Sequence, residues 1–273
     1  MSETSSQLNT SVASVGEVLL HTRDDRGVHT LTLNQPTAFN VLSDAMLDAL
    51  QGALAAVAAD KHARVVVLGA AGKAFCAGHD LKQMRAHPEL CYYQGLFARC
   101  SKVMLAIAAL PVPVVARVQG IATAAGCQLV AQCDLAVAVD TARFGVNGID
   151  VGLFCATPSV PLSRCVPRKV AMEMLMTGQF ISAQEALAHG LVNRVCSADE
   201  LDAAVEQLVS AMLAKPAEAL AMGKQLFYQQ VETGLAAAYQ LAGQTMACNM
   251  MLPVAQEGVR AFTEKRAPAW RKV

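Results

Sequence analysis

A run of small residues near the middle of the chain has the composition needed to bind a negatively charged oxygen through its backbone. Residues 117–130 begin as an apolar strand, break at Gly120, pass through small side chains, and continue as a helix from Gly126. A strand, a small-residue turn and a helix start can direct backbone N–H groups at a ligand oxygen, and small side chains let that oxygen approach closely. The same pattern also occurs where a helix only packs tightly on a sheet, and this run by itself favours that simpler interpretation.

A second turn, around Gly78, repeats the pattern. An apolar strand at residues 64–68 is followed by a turn at residues 69–72, and residues 74–78 lead into an irregular segment at residues 79–82. Two such units could bring two N–H donors to one point. The sequence does not establish that the two turns are neighbours, so their convergence is a geometric expectation.

The elements around these turns indicate an α/β chain whose last third is helical. Ser43 is a good N-cap for a helix that ends near Ala59. Residues 88–109 have helical spacing, residues 146–161 are predicted to be rich in loops, and helical spacing dominates beyond residue 167. A composition shift near residue 200 marks the expected subdomain boundary.

The composition argues against several classes of partner. The chain has 273 residues, of which 54% are hydrophobic and 16% charged, and its formal net charge is zero. Without a basic block, nucleic acid is not expected as the main partner. No apolar run reaches the ~18 residues expected of a membrane-spanning helix, so no membrane partner is predicted. The high apolar content instead predicts surface buried between subunits.

The cysteines and the first residues bear on location. Nine cysteines are scattered without a C-x-x-C pair, which argues against a zinc site or a disulfide framework. Residues 1–16 are polar and rich in serine and threonine, without the charges of a secretory signal or a transit peptide. We therefore predict a disordered N-terminal lead-in, reduced thiols, no metal and a cytoplasmic location.

Five segments, in their order along the chain, resemble the crotonase family, the enoyl-CoA hydratases and isomerases. LNQPTAFNVLS at residues 33–43 resembles the family's entry motif, and GKAFCAGHDL at residues 72–81 resembles its first oxyanion segment. The run at residues 117–130 resembles its second oxyanion segment. Residues 172–195 resemble the segment that follows the family's core, and residues 257–266 resemble its closing helix. The ordered set extends over nearly all of the chain beyond residue 17 and is far more specific than any one motif.

The resemblance implies an α/β fold, a crotonase-like spiral of ββα repeats with a C-terminal helical trimerisation region. The assembly would be a homotrimer or a dimer of trimers. The expected substrate or ligand is an acyl-CoA thioester, with no cofactor beyond its CoA moiety and no metal. On this interpretation the lead-in at residues 1–16 precedes a spiral core with the acyl-CoA site at residues 17–200, and residues 201–273 form the helical oligomerisation region.

The resemblance also implies an oxyanion hole made of two backbone N–H groups. By position, these belong to His79 and Ala125. Addition to an acyl thioester, or proton removal from it, develops negative charge on the carbonyl oxygen, and fixed N–H dipoles stabilise that charge by ~3 kcal/mol each. The His79 imidazole is either a hydrogen-bonded bystander or a group that contacts the substrate, because its pKa is easily perturbed.

The family's contacts to CoA fall at seven positions of this chain. These are Thr37, Ala38, Ala77, Asp80, Leu81, Phe262 and Lys265. Phe262 and Lys265 would meet the ligand from the C-terminal helix, in this or a neighbouring subunit. Lys265 is suited to the CoA phosphates, although a solvated charge explains it nearly as well.

The chain departs from the family where hydratases carry two catalytic glutamates. One glutamate deprotonates water and the other supplies a proton to the substrate. Their positions are occupied here by Gln128, which has no titratable proton, and Gly148, which has no side chain. Asp150, two residues further on, would share a face with position 148 on an extended chain and is a weak candidate acid. A capping or ion-paired Asp150 is the simpler interpretation.

Two classes of function follow from this departure. One is an enzyme of the enoyl-CoA hydratase/isomerase type with an unconventional proton path, whose reaction could be hydration, double-bond shift, decarboxylation or thioester cleavage. The other is a non-catalytic acyl-CoA-binding or assembly protein that keeps the oxyanion hole. Ordinary hydration is doubtful in either case. A nucleotide-binding function is disfavoured because the chain has neither G-x-G-x-x-G nor a P-loop.

Overall fold

The computed structural model describes residues 17–270, so the predicted lead-in at residues 1–16 lies outside the described residues. Within them are ten strands and eleven α-helices. The strands are β1 (Leu19–Arg23), β2 (Val28–Leu33), β3 (Val65–Ala70), β4 (Ala74–Cys76), β5 (Val114–Val118), β6 (Ile121–Thr123), β7 (Leu135–Val139), β8 (Arg143–Gly145), β9 (Ile181–Ser182) and β10 (Arg194–Cys196). The helices are α1 (Asp44–Ala59), α2 (Leu81–Ala86), α3 (Leu90–Ala109), α4 (Ala125–Gln132), α5 (Ala156–Cys165), α6 (Arg168–Thr177), α7 (Ala183–Ala188), α8 (Leu201–Leu213), α9 (Ala217–Gln230), α10 (Leu235–Met250) and α11 (Pro253–Thr263).

The main sheet has six strands in the order β1-β2-β3-β5-β7-β10. Only the β1–β2 pair is antiparallel, and the other neighbours run parallel. Every residue of β3 is buried, as expected of a continuous apolar strand covered on both faces. The parallel order places the carboxyl ends of β3, β5 and β7 at one edge of this sheet.

A second sheet of short strands, in the order β4-β6-β8-β9, follows that edge. β4, β6 and β8 are parallel, and each comes directly after one of the long strands β3, β5 and β7. Long strand, short strand and helix therefore recur three times along the chain. This is the predicted spiral of ββα repeats, and it brings the turns after β4, β6 and β8 side by side.

The first helix follows the sequence prediction closely. Ser43 caps α1 by accepting a hydrogen bond from the Met46 amide at 3.3 Å. One face of α1, which includes Leu47 and Leu50, is buried and packs against α3. A helical period of apolar residues behind a serine cap is enough to define this element.

Residues 146–161 differ from the loop-rich prediction. The structure forms a 3-10 helix at Asn147–Val151 and begins α5 at Ala156. Pro158 lies in the first turn of α5, where its missing N–H would have no intrahelical partner, and Pro161 lies inside the helix. The two prolines made a stable helix hard to predict, and buried packing of Leu162 helps to hold it.

The C-terminal third is helical, and its first helix packs on the main sheet. Leu201, Val205 and Val209 of α8 are buried and belong to the hydrophobic core. In contrast, α9, α10 and α11 bury few side chains in a single chain. Of the helices formed by residues 17–270, none is both long and apolar enough to span a membrane.

Candidate active site

The two small-residue turns lie directly against each other. Gly78 has φ = 89°, and a methyl group on it would lie 2.9 Å from the Ala124 Cβ and 3.2 Å from the Ala125 nitrogen. Both the positive φ and the contact restrict this position to glycine. The sequence left open whether the turns are neighbours, and the structure brings them together.

A cavity of about 280 Å³ opens beside the two turns. His79 lines it from the first turn and Ala125 from the second, and Phe97 of α3 contributes to its wall. Ala125 is the first residue of α4, where an amide has no intrahelical acceptor. Among the hydrogen bonds of residues 17–270, none uses the amide of His79 or of Ala125 as donor. Both N–H groups are therefore available to a ligand oxygen.

Ala124, which precedes α4, has an unusual backbone. Its φ of 50° and ψ of −120° belong to a region that side chains other than glycine rarely adopt. Such a conformation costs about 1–3 kcal/mol and is concentrated at functional sites. The strain is held by packing and by a hydrogen bond from the Ala124 amide to the Gly145 carbonyl at 2.9 Å. It keeps the Ala125 amide at the cavity.

The His79 imidazole is held at the cavity wall. Its Nδ1 lies 3.4 Å from the Leu42 carbonyl oxygen, and its ring meets the edge of Phe97 at a centroid distance of 5.5 Å. Nε2 is buried without a protein partner among the described residues. Burial lowers the pKa of His79 below its usual value, and the contact with Leu42 opposes that shift only in part. The ring is therefore neutral at neutral pH.

Gln128, at the first glutamate position, does not line the cavity. Its side chain is 3% exposed, and its Oε1 lies 3.9 Å from the Cys100 Sγ. A side chain in this orientation does not hold a water molecule against a ligand in the cavity.

Gly148, at the second glutamate position, lines the cavity but has no room for a side chain. A methyl group there would lie 2.4 Å from the Leu153 carbonyl oxygen and 2.8 Å from the Cys155 Sγ. The Gly148 amide donates to that same sulfur at 3.3 Å. Burial raises the pKa of Cys155, so this neighbour is a neutral thiol. Position 148 therefore lacks a carboxylate and also lacks the space for one, because the loop that contains Leu153 packs against it.

Asp150 lies outside the cavity, so the reasoning that made it a candidate acid was wrong. Residues 147–151 form a 3-10 helix, and two residues apart on a helix do not share a face. The Asp150 side chain is exposed, and its Oδ1 would be 2.7 Å from a methyl group on Gly178, at the end of α6. This carboxylate therefore packs against the end of a helix.

Of the seven positions expected to contact CoA, two line the cavity and five do not. Ala77 and Leu81 line the cavity. Asp80 caps α2 by accepting from the amides of Lys82 and Gln83, at 2.9 and 3.1 Å. The remaining four positions, Thr37, Ala38, Phe262 and Lys265, do not line it in this chain. Whether they contact CoA stays a prediction.

Among the polar residues of the cavity that escaped the sequence reasoning, two are bonded to each other. Thr123 ends β6, Asn147 follows β8, and the Thr123 hydroxyl donates to the Asn147 Oδ1 at 2.6 Å. Both line the cavity. A polar residue at or just after the end of each of two neighbouring parallel strands was the signal that could have revealed them, since those strand ends meet at one edge.

Other features of the described region do not form a comparable site. No group of three histidine, cysteine, aspartate or glutamate side chains within residues 17–270 could hold a metal ion. A cavity of about 640 Å³ lies between β1, β2 and α8, but five of its seven charged side chains bond to one another. There Arg26 pairs with Asp24 and Glu206, and Arg117 with Asp202.

Comparisons with known proteins identify the class that this fold and site define. The family model described as enoyl-CoA hydratase/isomerase matches residues 23–273. A solved structure of an enoyl-CoA hydratase from Mycobacterium smegmatis has 63% sequence identity and a TM-score of 0.92, covering 93% of this chain and 99% of that one. The chain therefore belongs to the enoyl-CoA hydratase/isomerase family, the crotonase superfamily.

Within the family, the chain is similar to a particular divergent member. Rat enoyl-CoA hydratase domain-containing protein 3, mitochondrial, is 44% identical over 252 residues, which are 92% of this chain and 84% of the rat chain. The solved human enoyl coenzyme A hydratase domain-containing protein 3 has 44% identity and a TM-score of 0.89, covering 93% of this chain and 100% of that one. The resemblance inferred from the sequence motifs is confirmed.

The prediction of a cytoplasmic location is wrong by the same comparisons. The rat relative and the human one, 45% identical over 244 residues, are both named as mitochondrial proteins. The cysteine pattern that led to the prediction indicates only a reducing compartment, and it does not separate one such compartment from another.

Proposed function

We propose that this chain binds acyl-CoA thioesters and holds the thioester carbonyl between the backbone N–H groups of His79 and Ala125. The observation that carries the proposal is the contact of the two turns at Gly78, where a methyl group would lie 3.2 Å from the Ala125 nitrogen. Neither of the two amides donates to a protein acceptor among the described residues, and both residues line one cavity, which supports the proposal. This arrangement stabilises the negative charge of a thioester enolate, whichever reaction forms it.

Ordinary hydration is not part of the proposal. Hydration needs one group to deprotonate water and another to protonate the substrate. No carboxylate among the described residues lines the cavity, and Gly148 cannot carry one without moving Leu153. Reactions that depend mainly on enolate stabilisation, with one proton transferred, remain compatible with the site.

The role of the carbonyl can be tested on the ligand, without changing the protein. Butyryl-CoA and its thioether analogue S-butyl-CoA have the same length, but only the first has a carbonyl oxygen. Two hydrogen bonds, each worth about 1 kcal/mol net, should make butyryl-CoA bind about tenfold more tightly or better. Isothermal titration measures both affinities, and equal values would show that the two amides do not hold the carbonyl.

The closed glutamate position favours a second candidate, a protein that binds acyl-CoA without turning it over. Crotonyl-CoA by itself does not distinguish the two. Binding without loss of the enoyl-thioester absorbance is expected from either candidate, so several acyl-CoAs have to be followed for turnover. Tight binding with no turnover of any of them would leave the non-catalytic candidate.

We further propose that the C-terminal helices mediate assembly into a homotrimer or a dimer of trimers. Large apolar side chains are exposed along α10, with Tyr239 74% and Met246 71% exposed, and Phe262 of α11 is exposed as well. Tyr239 and Met246 are seven residues apart and so share a helix face. An exposed apolar surface of this kind is typical of a subunit interface. Residues from a second copy could then complete the CoA contacts.

The assembly is expected to dissociate when this face is charged. Tyr239→Glu with Met246→Glu should shift the mass in light scattering from three or six chains towards one, because two carboxylates would have to be buried. Leu90→Glu on α3, at a site 72% exposed, is the matched control and should leave the mass unchanged. A one-chain mass for the unmodified protein would contradict the proposal.

A further inference from the structure

A chain of hydrogen bonds joins the first hairpin to the end of α1. The Nε2 of His21, on β1, is 2.8 Å from the Nδ1 of His29, on β2. The Nε2 of His29 is 3.1 Å from the Oδ2 of Asp60, which caps the C-terminal end of α1. Arg23 on β1 pairs with the same oxygen at 2.9 Å. His29 is only 4% exposed, so the middle of this chain of bonds is closed to water.

The partners of the two histidine rings determine where their protons can lie. A carboxylate only accepts hydrogen bonds, so the proton of a neutral His29 lies on Nε2, and its Nδ1 accepts from the Nε2 of His21. One added proton preserves the chain of bonds, because a single proton still lies between the two rings. With an added proton on each ring, the His21 Nε2–H and the His29 Nδ1–H would face each other over 2.8 Å, and their hydrogen bond would be lost.

The charges beside the pair of rings oppose a second added proton. The Asp60 carboxylate is shared with Arg23, and the pKa of this carboxyl is kept below its usual value by the His62 amide, by His29 and by Arg23. The pKa of His21 is lowered first by burial and then by the charge of His29. The unfolded chain, in which His21 has its ordinary pKa of 6.5, therefore binds the second proton at a higher pH than the folded chain does.

The charged groups on the other elements packed against the hairpin are exposed or have partners elsewhere. The hairpin packs on α1 and on β3, and β3 is entirely apolar. In α1, Asp44 bonds to an arginine of α3, and Asp48 is exposed about three turns before the end of the helix. Asp24 of the turn pairs with Arg26, and Arg64 bonds to carbonyls at the end of α8. The remaining titratable side chains of the adjoining segments are exposed, and they are Glu17, Asp25, Lys61 and His62.

We propose that His21, His29 and Asp60 form a pH-sensitive latch, which fastens the β1–β2 hairpin to the end of α1 and is released when both rings are positively charged. In the main sheet of residues 17–270, β1 is an edge strand paired with β2, so release of the latch frees β1 first. As the pH falls below 6.5, the free energy of opening should decrease, because the opened chain holds a proton on His21 that the closed chain does not. The three residues do not line the candidate active-site cavity, so the latch is independent of the proposed function.

Hydrogen exchange of the full chain at pH 7.5 and 5.5, corrected for intrinsic rates, tests the latch. Between these pH values, the protection of the β1 amides should fall about fivefold more than that of the β3 amides, the effect of one lost hydrogen bond. His21→Gln keeps an N–H donor for His29 and cannot be charged, so it should abolish the extra loss. His87→Gln, at an exposed histidine that ends α2, is the matched control and should leave the extra loss unchanged.

A measurement on the unmodified protein makes the test independent of how the variants fold. The His21 ring should titrate below pH 6.5 when it is followed by NMR, and titration at its ordinary pKa of 6.5 would overturn the inference. Equal losses of protection in β1 and β3, or the same extra loss in His21→Gln, would overturn it as well. An extra loss that also disappears in His87→Gln would place the pH effect elsewhere in the chain, against the latch.

Discussion

Gly148→Glu should destabilise the chain by about 3 kcal/mol and should not create a hydratase, even in combination with Gln128→Glu. The reason is steric, since the new Cβ would lie 2.4 Å from the Leu153 carbonyl oxygen, which is part of the backbone. Overpacking of a closed site has effects of this size. Chemical denaturation followed by circular dichroism measures the stability, and the absorbance of crotonyl-CoA measures hydration.

Gly95→Ala is a matched control for the loss of a glycine. Gly95 lies inside α3, and a methyl group on it would meet no heavy atom within 4 Å, so alanine there should stabilise the chain by up to about 1 kcal/mol. If stability falls on substitution of Gly148 and rises on substitution of Gly95, the loss at Gly148 is caused by the atoms that its new side chain would meet. A stable double glutamate variant that hydrates crotonyl-CoA would show instead that the loop at Leu153 moves easily.

Lys224→Met should destabilise the chain by about 3–5 kcal/mol, because it leaves a buried carboxylate without its cation. The Lys224 Nζ is 2.7 Å from the Asp134 Oδ2 and donates to the carbonyls of Ile107 and Val112, at 2.8 and 2.9 Å. Tyr228 donates to the other Asp134 oxygen at 2.8 Å. These bonds join α9 to the last turn of α3 and to the loops that precede β5 and β7.

Burial dominates the electrostatics of this cluster. It lowers the pKa of Lys224, and the neighbouring Asp134 opposes that change. Burial also raises the pKa of Tyr228, in the same direction as Asp134 does. As the pH rises towards 10.5, the ordinary lysine pKa, the Lys224 effect increases the free energy of unfolding, because the unfolded chain still holds a proton that the folded chain has lost. Above pH 10.0, the ordinary tyrosine pKa, the Tyr228 effect decreases it, because the unfolded chain loses its tyrosine proton first. Stability is therefore best compared near neutral pH.

Two controls make the Lys224 result specific. Arg164→Met removes one partner of an ion pair whose side chains are both 55% exposed, and it should change stability by less than about 1 kcal/mol. Asp134→Asn added to Lys224→Met should recover part of the loss, because the uncompensated charge is removed. Equal effects of Lys224→Met and Arg164→Met at one protein concentration would contradict the proposed role of the buried pair.

Several elements of this chain could be predicted from local patterns alone. The helix behind Ser43 was correct because its cap and its apolar period involve residues close in sequence. The hydrophobic content of β3 likewise identified a central strand. The spiral and the family followed from ordered motifs that the comparisons then confirmed.

The local conformation around the site was predicted less well. Asp150 was placed on an extended chain, whereas a 3-10 helix turns it away to Gly178. The strain at Ala124 left no mark in the sequence, because alanine is common in relaxed turns as well. Thr123 and Asn147 are 24 positions apart and meet only through the pairing of β6 with β8.

The amino-acid sequence by itself determined the family, the identity of the two turns and the absence of glutamate at positions 128 and 148. Only the tertiary structure decided that the turns touch at Gly78, that Leu153 closes the space at Gly148, and that Thr123 bonds to Asn147 at the cavity. The physical reason is the same in each case. Side-chain types and helical periods are encoded locally, whereas contact, available space and hydrogen-bond partners depend on residues that the chain brings together from distant positions.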